Sequence, residues 1–587
     1  MLFLWRTASR PVYLPIVDKA EDAYKAFKAS GRALFLFFSG LLVISTGVLL
    51  FMLNGALVVP TPALGGILTE GILGAPRFIN PVLAISDADR DLSVLVYSGL
   101  LTSTPDGEYA PNIASSFELS EGGRVYTFTL REGVTFHDET PLTAHDVVFT
   151  VQKIQDAALK SPARANWDGV VAEAVDDRTV RFTLTQPYAP FIKNATIGIL
   201  PKHLWEQVSA EEFPFSELNT SPIGSGPFTV AGVSRTASGI PASYTLQPFT
   251  NYALGTPYLS QVHLLFYQSE EALITALSQG DVEAVSGISP SLLPALPNNH
   301  TERSSLNRVF GIFFNQNESV VLRDIDVRTA LEMAVNREAL VANILGGYGT
   351  PLTGPVPPGV IAPAPATPSS TDEDRSVRAR DYLLQNGWDV EEDGTLSKTN
   401  GSGDDAEKLT ITFSISTGNV AELRAAAEFV KEAWDRMGAK VEVRVFDQGD
   451  LSQNVIRPRK YDALLFGEVI GRELDLFAFW DSSQRNDPGL NIALYANSAA
   501  DRILKALRET SVEPERVALY TEFEAELKKD IPAVFLYVPD FVYSIPNDIK
   551  GFDLGFVETS SDRFLSIHEW HREVDYVWPL FLPTTTN

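Results

Sequence analysis

One uninterrupted apolar segment limits what this chain can fold into. Residues 33–53 read ALFLFFSGLLVISTGVLLFML, without a charged side chain. A helix rises about 1.5 Å per residue, so this segment would span about 30 Å, the thickness of the hydrocarbon core of a bilayer. A buried helix of a soluble protein rarely runs this far without a polar face. The segment therefore predicts one transmembrane helix over 33–53.

The residues before this helix decide between an anchor and a cleaved signal peptide. They form a segment far longer than the n-region of a signal peptide, and the apolar stretch exceeds a normal h-region. Residues 1–32 contain six basic and three acidic side chains, a net charge of +3. The positive-inside rule places this segment in the cytoplasm. We therefore expect an uncleaved, single-pass signal anchor, with the bulk of the chain extracellular or periplasmic.

The part of the chain after the helix is strongly acidic. The whole chain has a net charge of −27, which leaves −30 once the +3 of residues 1–32 is removed. This charge would repel nucleic acid and anionic lipid, so the one helix is the expected contact with the membrane. The sequence has no cysteine, which excludes disulfides, thiolate metal sites and a lipidated cysteine as the anchor.

The patterns beyond the helix predict an α/β protein of more than one domain. A chain of 587 residues is too long for one hydrophobic core. Residues 54–69 are small and uncharged with proline and glycine, which predicts a spacer before a folded body that begins near Glu70. Residues 409–445 read as strand, helix and strand, the order that a parallel crossover requires.

The sequence lacks the motifs of the common hydrolases and nucleotide enzymes. Neither the G-x-S-x-G elbow nor the P-loop pattern occurs. Seven histidines are scattered, and the nearest pair, His568 and His571, lacks the spacing of a zinc protease. We predict no catalytic residue, no metal site and no cofactor.

Five segments in sequence order resemble one bacterial family. Two of the motifs they contain are Leu130-Arg131-Glu132-Gly133-Val134 and Thr143-Ala144-His145-Asp146-Val147. Together the segments resemble the bacterial extracellular solute-binding proteins of family 5, the oligopeptide- and dipeptide-binding receptors of ABC importers, over about 71–550. The five segments are 110–154, 223–228, 257–285, 313–315 and 326–338.

The resemblance implies a two-lobed periplasmic-binding-protein-like fold with a hinge and a ligand cleft. The first lobe would take residues 70–312, with a subdomain at about 106–219. The second lobe would take 313–540, and residues 541–587 would return to the first lobe. Along the chain, these lobes come after the predicted cytoplasmic segment 1–32, anchor 33–53 and spacer 54–69.

The resemblance also implies a transport function, and we expect the folded body that performs it to be monomeric. A peptide or similar small ligand would be captured between the lobes and delivered to the permease and ATPase subunits of an ABC importer, without catalysis. Two other classes of function stay open from the sequence. One is a ligand sensor that works through a membrane partner, and the other is a peptidase-like hydrolase that uses an acid pair.

The resemblance suggests candidate ligand-binding residues and one departure from the family. In its peptide receptors, the glycine that ends one strand usually has a Trp beside it and an Asp four residues beyond it, and the Asp pairs with the peptide α-ammonium. Here these positions hold Glu468 and Gly471. A buried ammonium needs a partner, so we expect Glu468, Glu473 or Asp475 to supply the carboxylate. Three further candidates edge or line the cleft: Asn80, Tyr97 and Trp480.

Overall fold

The computed structural model describes most of the chain as two compact units. It describes residues 19, 22, 24–296, 300–358, 360–361, 372–400, 407–510 and 512–581. One unit combines Met1–Ala63 with Glu573–Asn587, and the other is Leu64–Arg572. Of the predicted cytoplasmic segment 1–32, residues 1–18, 20, 21 and 23 lie outside the described residues.

The first unit contains the predicted apolar helix. It runs over Ala29–Leu57, four residues beyond the predicted segment at each end, and none of its residues is buried. Its length and composition are sufficient to cross a membrane. Strand Val59–Pro62 follows at once and pairs in antiparallel register with Val574–Val577. Trp578 Nε1 donates a hydrogen bond of 2.8 Å to the side-chain oxygen of Asn54 in the last turn of the helix.

These elements differ from two expectations about the ends of the chain. The predicted spacer 54–69 contains the end of the helix, one strand and the beginning of strand Ile67–Leu73, so most of it is regular structure. Residues 573–587, expected to return to the first lobe, are grouped with the N-terminal unit because their strand pairs with Val59–Pro62. Strand Arg308–Phe314 pairs along its length with Ala463–Val469, so the second lobe begins at this strand and not at the predicted residue 313. The remaining domain limits stay predictions.

One mixed sheet runs through both lobes of the second unit, which gives the predicted two-lobed α/β fold. Strands His300–Ser305 and Gly349–Pro351 also join it, each by pairing with Ala533–Ile545. The other strands lie in this order: Lys440–Phe446, Thr412–Gly418, Ala463–Val469, Arg308–Phe314, Ala533–Ile545, Ala284–Ser286, Ile67–Leu73, Gln261–Tyr267, Pro241–Pro248 and Phe228–Arg235.

Two chain segments cross between the lobes side by side. Strand Ala533–Ile545 pairs with Arg308–Phe314 of the second lobe through its first half, and with Ala284–Ser286 of the first lobe near its end. The second crossing lies between His300–Ser305 and Arg308–Phe314, where Leu306 N donates to the carbonyl of Pro539 at 2.9 Å. These paired crossings are the hinge.

The first lobe adds a four-stranded antiparallel sheet within the predicted subdomain. Its strands lie in the order Ala114–Ser120, Val125–Leu130, Thr179–Thr183 and Val171–Asp176. Tyr126, Phe128 and Leu130 are buried, as the period of two predicts, and Val125 at the beginning of the strand is buried as well. The lobe also has the short strand pair Leu101–Ser103 and Tyr109–Pro111, and its helices are Asp87–Val96, Ala144–Gln155, Lys202–Trp205 and Glu270–Gln279.

The second lobe contains the predicted crossover. Helix Ala421–Met437 joins the parallel strands Thr412–Gly418 and Lys440–Phe446, and it ends at Gly438, whose φ of 111° suits glycine. A small sheet adds Asp389–Val390, Leu396–Asn400 and Glu407–Thr410. The other helices are Ile325–Ala334, Arg337–Ile344, Asp372–Gln385, Gln448–Asp450, Leu451–Ile456 (a π-helix), Phe477–Trp480, Ser498–Glu509 and Glu513–Asp530.

Candidate functional site

A cleft of about 570 Å³ lies at the hinge and is lined by both lobes. Helix Asp87–Val96 and the strand pair that follows it form the wall on the side of the first lobe. The C-terminal segment around Glu558–Leu565 forms another part of the wall. The second lobe contributes Arg308 and Val469, at the ends of two paired strands, and Arg472 in the loop that follows.

A close backbone approach positions Tyr97 in this cleft. Tyr97 caps the C-terminus of helix Asp87–Val96, and Gly226 N donates to the carbonyl of Val96 at 2.8 Å. A Cβ atom on Gly226 would lie 2.5 Å from the carbonyl carbon of Val96, so only glycine allows this contact. The conspicuous glycines of segment 223–228 therefore pack the turn against the helix end that carries Tyr97.

Several buried polar atoms in the cleft wall lack hydrogen-bonding partners among the described residues. They are Ser93 Oγ, Tyr97 OH, Tyr109 OH, Asn112 Oδ1 and Arg308 Nε. Burial raises the pKa of the Tyr97 hydroxyl, which therefore stays protonated and available as a donor. Buried polar groups are normally paired, and a cluster of unpaired ones around a cavity indicates a site that a bound molecule completes.

Carboxylates that line the cleft are already paired with cations of the chain. Lys193 forms a short ion pair with Glu558, and Arg472 lies 3.4 Å from Asp562. Arg472 also donates to the carbonyls of Thr104 and Phe556, at 3.1 and 3.0 Å. Because Arg472 belongs to the second lobe and its partners to the first, these bonds also join the two lobes at this point.

The Lys193–Glu558 pair lies beside Gly471, where the family resemblance leads one to expect an amine-binding carboxylate. A Cβ atom on Gly471 would be 2.8 Å from Lys193 Nζ and 3.4 Å from Glu558 Oε1. The space for a side chain is therefore occupied by an ion pair. Glycine at this position is explained by that packing.

The predicted carboxylates at 473 and 475 are directed toward other partners. Asp475 accepts from Arg508 Nε at 2.9 Å and from the Tyr188 hydroxyl at 3.0 Å. Burial raises the pKa of Glu473, which lies near Tyr109 and Arg516. Neither carboxylate belongs to the described lining of the cleft. Their roles in ligand binding stay predictions.

Glu468 and Trp480 lie together in the second lobe, on a second cavity and in the adjoining core. Glu468 is 3% exposed and lines a largely apolar cavity of about 540 Å³. Trp480 is fully buried, with the rings of Phe313 and Phe535 at 6.0 and 5.7 Å. Its indole N–H does not reach hydrogen-bonding geometry with a described residue. In this arrangement Trp480 packs as a core residue, and its expected place along the ligand cleft stays a prediction.

Asn80 is also enclosed. Its side-chain oxygen accepts from Val82 N at 2.9 Å, and its side-chain nitrogen donates to Asn219 at 3.0 Å. These bonds hold its own turn, and the neighbouring Pro81 lines the cleft instead. Among the six predicted residues, Tyr97 lines the cleft and Glu468 lines the second cavity.

Sequence reasoning missed Ser93, Tyr109, Asn112 and Arg308. Asn112 stands in the Pro-Asn-Ile-Ala motif that contributed to the resemblance, so that motif could have indicated it. Arg308 gives no such signal, because a lone arginine at the beginning of an apolar strand is usually a surface residue.

Comparison with known proteins points to one family. The sequence model of the family described as "Bacterial extracellular solute-binding proteins, family 5 Middle" matches residues 108–487. Protein XP55 of Streptomyces lividans is 30% identical over 490 residues, which cover 82% of this chain and 85% of that protein. Oligopeptide-binding protein AppA of Bacillus subtilis (strain 168) is 27% identical over 509 residues, covering 84% and 89%. The structure of AppA in complex with a nonapeptide has a TM-score of 0.66 at 25% identity, covering 87% of this chain and 99% of AppA.

Proposed function

The chain belongs to the bacterial extracellular solute-binding proteins of family 5, and we propose that it is a receptor that captures a peptide between its lobes and delivers it to an ABC importer. The observation that carries this proposal is the cleft at the hinge, with its unpaired buried polar atoms. Its volume of about 570 Å³ lies within the range of small-ligand sites.

A peptide is the ligand class that the relatives favour. AppA is named as an oligopeptide-binding protein, and its structure holds a nonapeptide. A peptide would engage both walls of the cleft, one carrying Tyr97 and the other Arg308 and Val469. Because both walls contact the ligand only when the lobes are together, binding would stabilise the closed form. The proposed receptor makes and breaks no bond.

The first unit supports the proposal that the helix is a retained anchor. Trp578 donates to Asn54 in the last helical turn, so the C-terminal segment contacts the helix itself. Tyr576, Trp578 and Leu580 are exposed beside it, and tyrosine and tryptophan are the residues favoured at a membrane surface. A retained helix would keep a monomeric extracytoplasmic body close to its permease, with the N-terminus in the cytoplasm.

Isolation of the full chain from the membranes of cells that also express the importer tests this proposal. We expect the chain to resist alkaline extraction, to co-purify with a permease and an ATPase, and to release intact peptides on denaturation. Co-purification with a kinase instead would favour a sensor. Hydrolysis of added peptides by the purified chain would favour an enzyme, and the absence of any released peptide would contradict the proposed ligand.

A further inference from the structure

Arg308 is a cation of the cleft for which the described residues provide no partner. It begins strand Arg308–Phe314 directly after the hinge and lies opposite Val469 in the neighbouring strand. Its Nε atom is buried and makes no hydrogen bond to a described residue. No ion pair within the described part of the chain includes Arg308.

The other charges of the described cleft lining balance one another. Lys193 pairs with Glu558, and Arg472 pairs with Asp562. Arg90 forms an exposed pair with Asp87 at 3.3 Å. Arg308 therefore leaves one positive charge without compensation. A partly buried charge without a partner is costly, and an anionic ligand group would remove that cost.

Neutral donors accompany this charge. The hydroxyls of Tyr97 and Ser93 line the same cleft and are buried without partners among the described residues. A guanidinium group matches the planar geometry of a carboxylate with two parallel hydrogen bonds. Hydroxyl donors add to such a site without adding charge.

On these grounds we propose that the cleft binds its ligand through a carboxylate that pairs with Arg308, and that a free ligand amine is not required. This inference rests on the proposed receptor function and specifies its ligand class. Next to Gly471, a ligand ammonium would approach the Lys193 ammonium, which is a like charge, while Glu558 is already paired. The carboxylate, at the C-terminus of a peptide or on an acidic side chain, is the anchoring group.

Native mass spectrometry of the full chain in detergent tests this inference with tetra-alanine in three forms: unmodified, C-terminally amidated and N-acetylated. We expect amidation to weaken binding about tenfold or more, the effect of losing one charged pair. Acetylation should change affinity by less than about threefold on the same scale. In Arg308→Gln the unmodified and amidated peptides should bind alike. Arg90→Gln is the matched control, and it should keep the difference between them.

A second measurement separates this inference from the choice of peptide as ligand. At constant ionic strength, replacing chloride by acetate should raise the unfolding temperature of the wild-type chain but not that of Arg308→Gln. If no form of tetra-alanine binds while acetate acts through Arg308, the peptide proposal fails and the carboxylate site stands. Equal binding of unmodified and amidated peptide would overturn the inference. So would absent or equal stabilisation of the two chains by acetate.

Discussion

Glu468 is an acidic residue enclosed by the apolar wall of the second cavity. Neither carboxylate oxygen makes a hydrogen bond to a described residue. Burial raises the pKa of this carboxyl well above its usual range, and the nearby indole N–H of Trp480 partly opposes the rise. The side chain is therefore held in its neutral form under conditions in which an exposed glutamate is charged.

The proton on Glu468 makes the stability of the chain depend on pH. The unfolded chain releases this proton near pH 4.5, the ordinary pKa of a glutamate, whereas the folded chain keeps it to higher pH. The free energy of unfolding therefore falls as pH rises between the two pKa values, by about 1.4 kcal/mol for each pH unit. Glu468→Gln does not titrate, so it should gain stability relative to the wild type over this window.

Urea unfolding of wild type and Glu468→Gln, in slightly acidic and in slightly alkaline buffer, measures this gain. The exposed Glu211 provides the control, because Glu211→Gln should have the same stability as the wild type in both buffers. A difference between Glu468→Gln and wild type that is the same in the two buffers would contradict the account.

Tyr97 and Arg308 show what could be predicted about the site from sequence. Tyr97 stands in a motif that resembles the family, and its position in the cleft follows from the fold that the motif indicates. The importance of Arg308 depends on missing partners, which is a property of packing between segments distant in sequence. For the same reason the sequence could not show that Asp475 is already paired with Arg508.

A buried ionic cluster fastens the C-terminal segment to the first lobe. Arg563 donates to Glu70 Oε1 at 2.8 Å and to Asp91 Oδ2 at 2.7 Å, and all three side chains are buried. The Tyr543 hydroxyl donates to the other oxygen of Glu70 at 2.8 Å. The cluster therefore joins a strand, a helix and two parts of the C-terminal segment.

Arg563→Gln should destabilise the chain strongly, because it leaves two buried carboxylates without their cation. We expect a loss of about 3–5 kcal/mol in the free energy of unfolding, the usual cost of breaking a buried pair. Arg124→Gln breaks an exposed pair with Glu121 and should cost less than about 1 kcal/mol. Urea unfolding of the two variants makes the comparison. Similar small losses in both would contradict the role of the cluster.

Local sequence patterns predict many of the helices and strands. Where they fail, the reason is pairing between segments that are distant in sequence. Capping residues and apolar periodicity predict the helix after Thr143 and the crossover helix that ends at Gly438. In strand Ala533–Ile545 the local apolar pattern extends only to Val538, because Pro539 interrupts it. The strand continues because its second half pairs with the other lobe, which no local pattern records.

The two lobes contact each other at more than one place in the described structure. Arg472 binds first-lobe carbonyls near the hinge. At a second place, the Tyr188 hydroxyl of the first lobe donates a hydrogen bond to Asp475 of the second. The guanidinium carbon of Arg508 lies 5.3 Å from the centre of the Tyr188 ring. These contacts are polar, which fits an interface that opens and closes as ligand enters and leaves.

Closure on ligand is the central claim, and the distance between the lobes tests it most directly. The sequence has no cysteine, so Glu118→Cys in the first lobe and Glu432→Cys in the second can carry spin labels at defined positions. Pulsed electron paramagnetic resonance should give a broad distribution without ligand. Addition of a mixture of short peptides should shift it to one narrow, shorter distance. An unchanged distribution in the presence of those peptides would contradict the claim that the cleft captures them.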